Sequence, residues 1–156
     1  MLIKPGDFDN PQVIDLLRLH LQGMHESSPP DSVFALDLSG LKQPDITFLT
    51  AWEDVDLLGC GALRELSPVH GEIKSMRTNP KHLRKGAAAA ILQHILDLAR
   101  TRGYQKVSLE TGSGSSFEAA VSLYSRFGFV RGDVFGDYVA TGFNQFFHLD
   151  LPAIHP

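Results

Sequence analysis

Arg84, Lys85 and Gly86, followed by the run Ala87-Ala88-Ala89-Ala90, are the residues of this chain best suited to hold an anion. Four alanines start a helix at little entropy cost and leave its first turn bare of bulk. A bare first turn presents unpaired N–H groups and the positive end of the helix dipole, and two cationic side chains precede it, which makes a phosphate cradle. The plainer alternative is a solvated helix start. Neither GxxxxGK followed by Ser or Thr, nor GxGxxG, occurs, so the nucleotide loops built on those patterns are excluded. Other chemistry is poorly supplied. Cys60, the one cysteine, lies inside an apolar run and reads as a small core residue, with no disulfide or cysteine zinc cluster to be made. His20 and His25 do not fall at the three- or four-residue spacing that puts two ligands on one helix face, so no metal site is expected from them and Glu26.

The cradle sits in the middle of the stretch 72–102, which reads as strand, turn and long helix. In the strand, Glu72, Lys74, Met76 and Thr78 alternate with Ile73, Ser75 and Arg77, and Pro80 ends it because it cannot donate to a ladder. Ala88, Ile91, Leu92, Ile95 and Ala99 make the apolar face of the helix, which Gly103 closes. A strand at 106–111 follows, and the order strand, helix, strand predicts a parallel pair joined by a right-handed crossover.

Before this unit, a strand is expected at 2–4. Asn10 caps and Pro11 opens a helix striped with Val13, Leu16, Leu17, His20, Leu21 and Met24. The polar segment His25-Glu26-Ser27-Ser28-Pro29-Pro30 should break it, as a connector or a substrate-side lip, before a second helix restarts at Asp31 or Ser32 and runs toward Leu41. Strands at 45–52 and 56–64 form a hairpin, with Gly59 and Gly61 hinting at a bulge or close backbone contact. After 106–111 come a hydroxyl-rich loop at 112–116, a helix at 117–127, a strand from Gly128 and a last strand at 144–151.

A length of 156 residues, 43% hydrophobic and 21% charged, suits one soluble domain spanning 1–156. The net charge of −4 argues against a nucleic-acid surface, although one basic patch can still hold a small anion. No apolar run approaches the roughly 20 residues of a membrane span, and the first residues carry no signal-peptide pattern, so a cytoplasmic address is expected.

Leu83-Arg84-Lys85-Gly86-Ala87-Ala88 resembles the pyrophosphate motif of the GNAT N-acetyltransferases, R/QxxGxG/A, with Gly86 and Ala88 in place and Leu83 where the family has Arg or Gln. Leu123-Tyr124-Ser125-Arg126-Phe127-Gly128-Phe129 resembles that family's LYxxxGF signature, at the expected distance downstream. The chain is similar over nearly its whole length to small bacterial acetyltransferases that share EIKSMRT, HLRKG, LETGS and an FGDY-type segment. The resemblance implies an α/β fold: a mixed, mostly antiparallel sheet of about six or seven strands, helices on both faces, and a splayed parallel pair admitting acetyl-CoA.

It also implies roles. The backbone of Met76, Arg77 and Thr78 would pair with pantetheine, and the Met76 amide would face the acetyl oxygen. The amides of Arg84, Lys85, Gly86, Ala87 and Ala88, beside Leu83, would take the pyrophosphate, with Ser116 and Arg126 as further coenzyme A contacts. Tyr124 would donate to the departing thiolate, and Glu72 would be the base, with Glu110 or a water chain as rival. His25, Glu26, Ser28 and Tyr138 would line the acceptor side. The implied activity is acetyl-CoA-dependent N-acetylation of a small-molecule or protein amine by direct transfer, without a metal; many such enzymes are homodimers. The alternatives are a coenzyme A or acyl-CoA sensor without turnover and a partner-binding scaffold.

Overall fold

The computed structural model describes residues 1–30 and 33–152. Its elements in chain order are β1 (Leu2–Pro5), α1 (Pro11–Ser27), α2 (Leu38–Leu41), β2 (Ile46–Glu53), β3 (Asp56–Ser67), β4 (His70–Thr78), α3 (Ala87–Thr101), β5 (Lys106–Thr111), α4 (Glu118–Arg126), β6 (Val130–Arg131) and β7 (Gln145–Asp150). The strands form one 7-stranded sheet in the order β1-β2-β3-β4-β5-β7-β6. Every pairing is antiparallel except β4–β5, which is parallel, as a right-handed crossover through α3 requires.

Two apolar cores lie on the sheet's two faces. Ile91, Leu92, Ile95 and Ala99 of α3 and Leu123 and Tyr124 of α4 pack with Leu63, Ile73, Val107, Leu109 and Phe147 on one face. Val13, Leu16 and Leu17 of α1 meet Trp52, Leu57, Cys60 and Ala62 on the other. Full burial of an isoleucine or leucine contributes about 1.5–3 kcal/mol, so α3, with Ile91, Leu92 and Ile95 all at 0% exposure, is the main clamp on the sheet.

The helical N-terminal region differs from the sequence expectation. Residues 25–27 do not break α1; the helix runs through Ser27, and Ser28 turns to an extended φ of −130°. Proline forbids helical geometry to its predecessor, so Pro29 stops the helix at Ser28 and leaves the preceding turn free to form. The expected restart at Asp31 or Ser32 lies outside the described residues. Residues 33–37 are not helical, and α2 starts instead after Asp37, whose side chain accepts from Gly40 N.

The strict alternation expected along β4 is also broken. Cys60 pairs with Arg77 and Ala62 with Lys74, so Gly61 on β3 faces two residues, Ser75 and Met76. Ser75 takes the left-handed φ of 57° that absorbs the extra residue. Glu72, Lys74 and Arg77 therefore share the α1 face, while Ile73 and Met76 face α3. Gly61 is needed opposite: a Cβ there would lie 2.4 Å from Met76 Sδ and 2.7 Å from Ile91 Cγ2.

Candidate active site

Just before the bulge the sheet begins to open. The β4–β5 ladder runs from His70↔Lys106 to Ile73↔Leu109 and stops, although β4 continues to Thr78 and β5 to Thr111. Met76, Arg77 and Thr78 thus have an edge toward β5 that no strand covers.

The cradle lies on the α3 side of this gap. Asn79 caps a short turn at Pro80–His82, and the chain then reaches α3 through Arg84 at φ 64° and Gly86 at φ 81°. Two left-handed residues so close together bend the backbone sharply ahead of the helix, and turns of this kind can gather amides into a concavity suited to an anion. Gly86 offers no side-chain cap, and the first helical bond is Ala90 N to Gly86 O at 3.0 Å, so the amides of Ala87, Ala88 and Ala89 remain unclaimed by the helix. A Cβ at Gly86 would meet nothing within 4 Å, so the space beside the amides is open. Lys85 Nζ lies 3.1 Å from His82 Nδ1 and 3.7 Å from Glu53 Oε1, while Leu83 and Arg84 are exposed. Ser116 and Arg126 are exposed, and their side chains make no hydrogen bond or ion pair among the described residues.

Tyr124 is buried, with Phe129 edge-on at 5.7 Å. Burial pushes its phenol above the ordinary value of about 10, so it stays protonated and available as a donor. No hydrogen bond engages the hydroxyl among the described residues.

The opposite face of the gap carries charge. Glu72, 1% exposed, accepts from the Tyr138 hydroxyl and lies 3.4 Å from Lys74 Nζ, which also bonds Tyr138 Oη at 2.5 Å. Phe34 and Phe135 pack edge-on to Tyr138, each at 5.2 Å, and close the site over Phe146. Glu110 of β5 faces the same cluster. Burial raises its carboxyl from 4.5 to about 7; Lys74 and a hydrogen bond from Asn144 oppose that rise, and the Glu72 charge adds to it. The site therefore places two carboxylates against one ammonium.

Of the acceptor-side residues expected from sequence, the fold brings Tyr138 to Glu72, while among the described residues no hydrogen bond links His25 or Glu26 to them. Glu26 is exposed and accepts from Gln22 one turn back, and Ser28 is buried, its hydroxyl without a hydrogen-bond partner among the described residues. Arg77 has a side-chain task beyond its backbone: Nε donates to His20 Nδ1 at 2.9 Å, fastening β4 to α1. Burial, then Arg77 itself, holds His20 down to about 4, so it stays neutral and accepting. Lys74 and Asn144 were missed in the sequence. Lys74 shares Glu72's strand and parity, which is a usable signal; Asn144 follows an irregular loop and gives none.

Residues 11–129 match the model of the Acetyltransferase (GNAT) family. The chain is 54% identical over 138 residues to the N-acetyltransferase YsnE of Bacillus subtilis (strain 168), itself uncharacterised, covering 88% of this chain and 91% of that protein. This chain belongs to the GNAT family.

Solved GNAT folds agree with that assignment. A protein described as an acyl-CoA N-acyltransferase from Klebsiella pneumoniae superposes with a TM-score of 0.79 at 25% identity, over 96% of this chain and 97% of that one. A GNAT acetyltransferase from Elizabethkingia anophelis with acetyl-CoA bound gives 0.69 at 20% identity, over 96% and 97%, which speaks for the fold. The protein is thus a GNAT acyltransferase, and coenzyme A chemistry fits the residues present. The open amides before α3 suit a diphosphate, and the uncovered edge of β4 suits an extended amide chain.

Proposed function

We propose that this GNAT enzyme transfers an acetyl group from acetyl-CoA to a primary amine, of a small molecule or a protein, by direct attack in a ternary complex, with the whole chain acting as one catalytic domain. The observation that carries the reading is the separation of β4 and β5 past Ile73 and Leu109, with open amides on one side and paired carboxylates on the other. Acetyl-CoA supplies the activated thioester. The amides of Arg84, Lys85, Gly86, Ala87 and Ala88 bind its diphosphate, with Ser116 and Arg126 as outer contacts. The β4 edge at Met76, Arg77 and Thr78 orients the chain that leads to the thioester.

The amine must lose a proton before it attacks. Glu72 is committed to Tyr138 and Lys74, whereas Glu110, held near neutrality, has a proton affinity suited to acting as base at pH 7. The proposal therefore gives Glu110 the proton and Glu72, the base expected from sequence, the task of holding Tyr138 and Lys74 at the acceptor side. Tyr124 donates to the leaving thiolate from the α4 side.

Thiol release from acetyl-CoA with a panel of primary amines tests the reading, and intersecting initial-velocity lines are expected for a ternary complex. Heat of coenzyme A binding without thiol release would make the protein a sensor instead. No heat at all would leave the cradle empty.

A further inference from the structure

The face of the sheet that carries Glu72 holds a second hydrogen-bonded chain. Ser108 on β5 stands directly opposite His148 on β7, and His70 on β4, paired with Lys106, reaches Ser108 diagonally. His70 Nε2 is 2.7 Å from Ser108 Oγ, Ser108 Oγ is 2.7 Å from His148 Nδ1, and His148 Nε2 is 2.8 Å from the Asp133 carbonyl oxygen. A carbonyl only accepts, so His148 Nε2 carries a proton, and in the neutral ring Nδ1 is then an acceptor. The Ser108 hydroxyl donates to that acceptor, and its oxygen in turn accepts a hydrogen bond from His70 Nε2–H. One proton arrangement satisfies all three contacts around a serine that is 0% exposed.

The chain ends on the segment that bears Tyr138. Gly132 lies against the His148 ring, where a Cβ would come within 2.8 Å of Cδ2. Phe135 packs on His148 at 5.6 Å and on His70 at 6.0 Å, and Phe135 in turn meets Tyr138. Around these contacts the segment is exposed at Asp133, Val134, Gly136, Asp137 and Val139, and its ends are tied by Gly132 N to Phe146 O at 2.9 Å and Asn144 Nδ2 to Val139 O at 3.1 Å.

We propose that His148 is a positioning residue for acetyl transfer: oriented by Ser108 and His70, it latches segment 132–139 through the Asp133 carbonyl and so seats Tyr138 against Glu72. The catalytic part of this role rests on the acetyl-transfer reading; the latch itself does not.

Amide hydrogen exchange on the full chain, comparing wild type with His148→Asn and His148→Gln, tests the latch without an acceptor. Asn is too short to reach the Asp133 carbonyl, and exchange over 132–139 should speed up about tenfold while α3 stays protected. Gln extends its amide to the position of Nε2 and should restore protection. Unchanged protection in His148→Asn, or loss spread evenly through the sheet, would overturn the proposal. With any amine the wild type acetylates, His148→Asn should lower kcat/KM for the amine and leave the KM for acetyl-CoA alone. Should acetyl-CoA give no calorimetric signal with the wild type, the transfer reading fails and the latch is still decided by exchange.

Discussion

Glu110 and Glu72 are two carboxylates in one cluster whose surroundings differ, and the proposed reaction gives them different work. Glu72 has a hydroxyl donor and an ammonium within reach, while Glu110 has Asn144 and a desolvated position that raises its carboxyl to about 7. A base must be ionised, so kcat/KM should climb as pH rises through about 7, and Glu110→Gln should flatten that limb and lower the rate about 10²-fold or more. Stability moves the other way. The folded carboxyl binds its proton more tightly than the unfolded one, so stability falls as pH rises from 4.5 toward 7. Glu110→Gln should therefore be more stable than wild type by about 1–2 kcal/mol at pH 8, allowing for solvent screening, and no more stable at pH 4. Parallel thermal melts at the two pH values check this. For Tyr124→Phe, kcat should drop about 10²-fold with little change in melting temperature, because among the described residues the hydroxyl has no hydrogen-bond partner to lose. An unaltered kcat would remove Tyr124 from the leaving-group role.

Among the elements, β4 and the turn into α3 depend on two glycines for different reasons. Gly61 leaves room for the bulge, and Gly61→Val would drive a side chain into Met76 and Ile91. An overpacked core of this kind costs about 1–3 kcal/mol, and because the bulge sets which face Met76 takes, acetyl-CoA affinity should fall with it. Gly86→Val meets no neighbour but forces a β-branched residue to φ 81°. It should lose about 1–2 kcal/mol to that strain, and binding of coenzyme A should weaken beyond what the stability loss explains. Denaturant melts with calorimetry on the same samples separate the two effects.

At the scale of the whole molecule, ligand and fold are linked. Saturation with acetyl-CoA at about 100 times its dissociation constant should add about 2.7 kcal/mol, a rise of about 5–10 °C in melting temperature for a chain of this size. A net charge of −4 repels a polyanion at long range, so that rise should owe little to diffuse attraction and persist in moderate salt. Local patterning was enough to read the order of elements, the crossover that makes β4 and β5 parallel, the glycine turn into α3 and the helix that carries Tyr124. Each of these depends on the periodicity within one element or on the order of consecutive elements. Sequence could not yield the Ser75 bulge, because a bulge depends on how many residues the facing strand offers. Nor could it yield the Glu72–Tyr138 contact, the buried Lys74, the raised carboxyl of Glu110 or the His70-Ser108-His148 chain. Those arise where strands and loops distant in sequence meet in a space that excludes water, and burial and charge pairing there are properties of the folded chain.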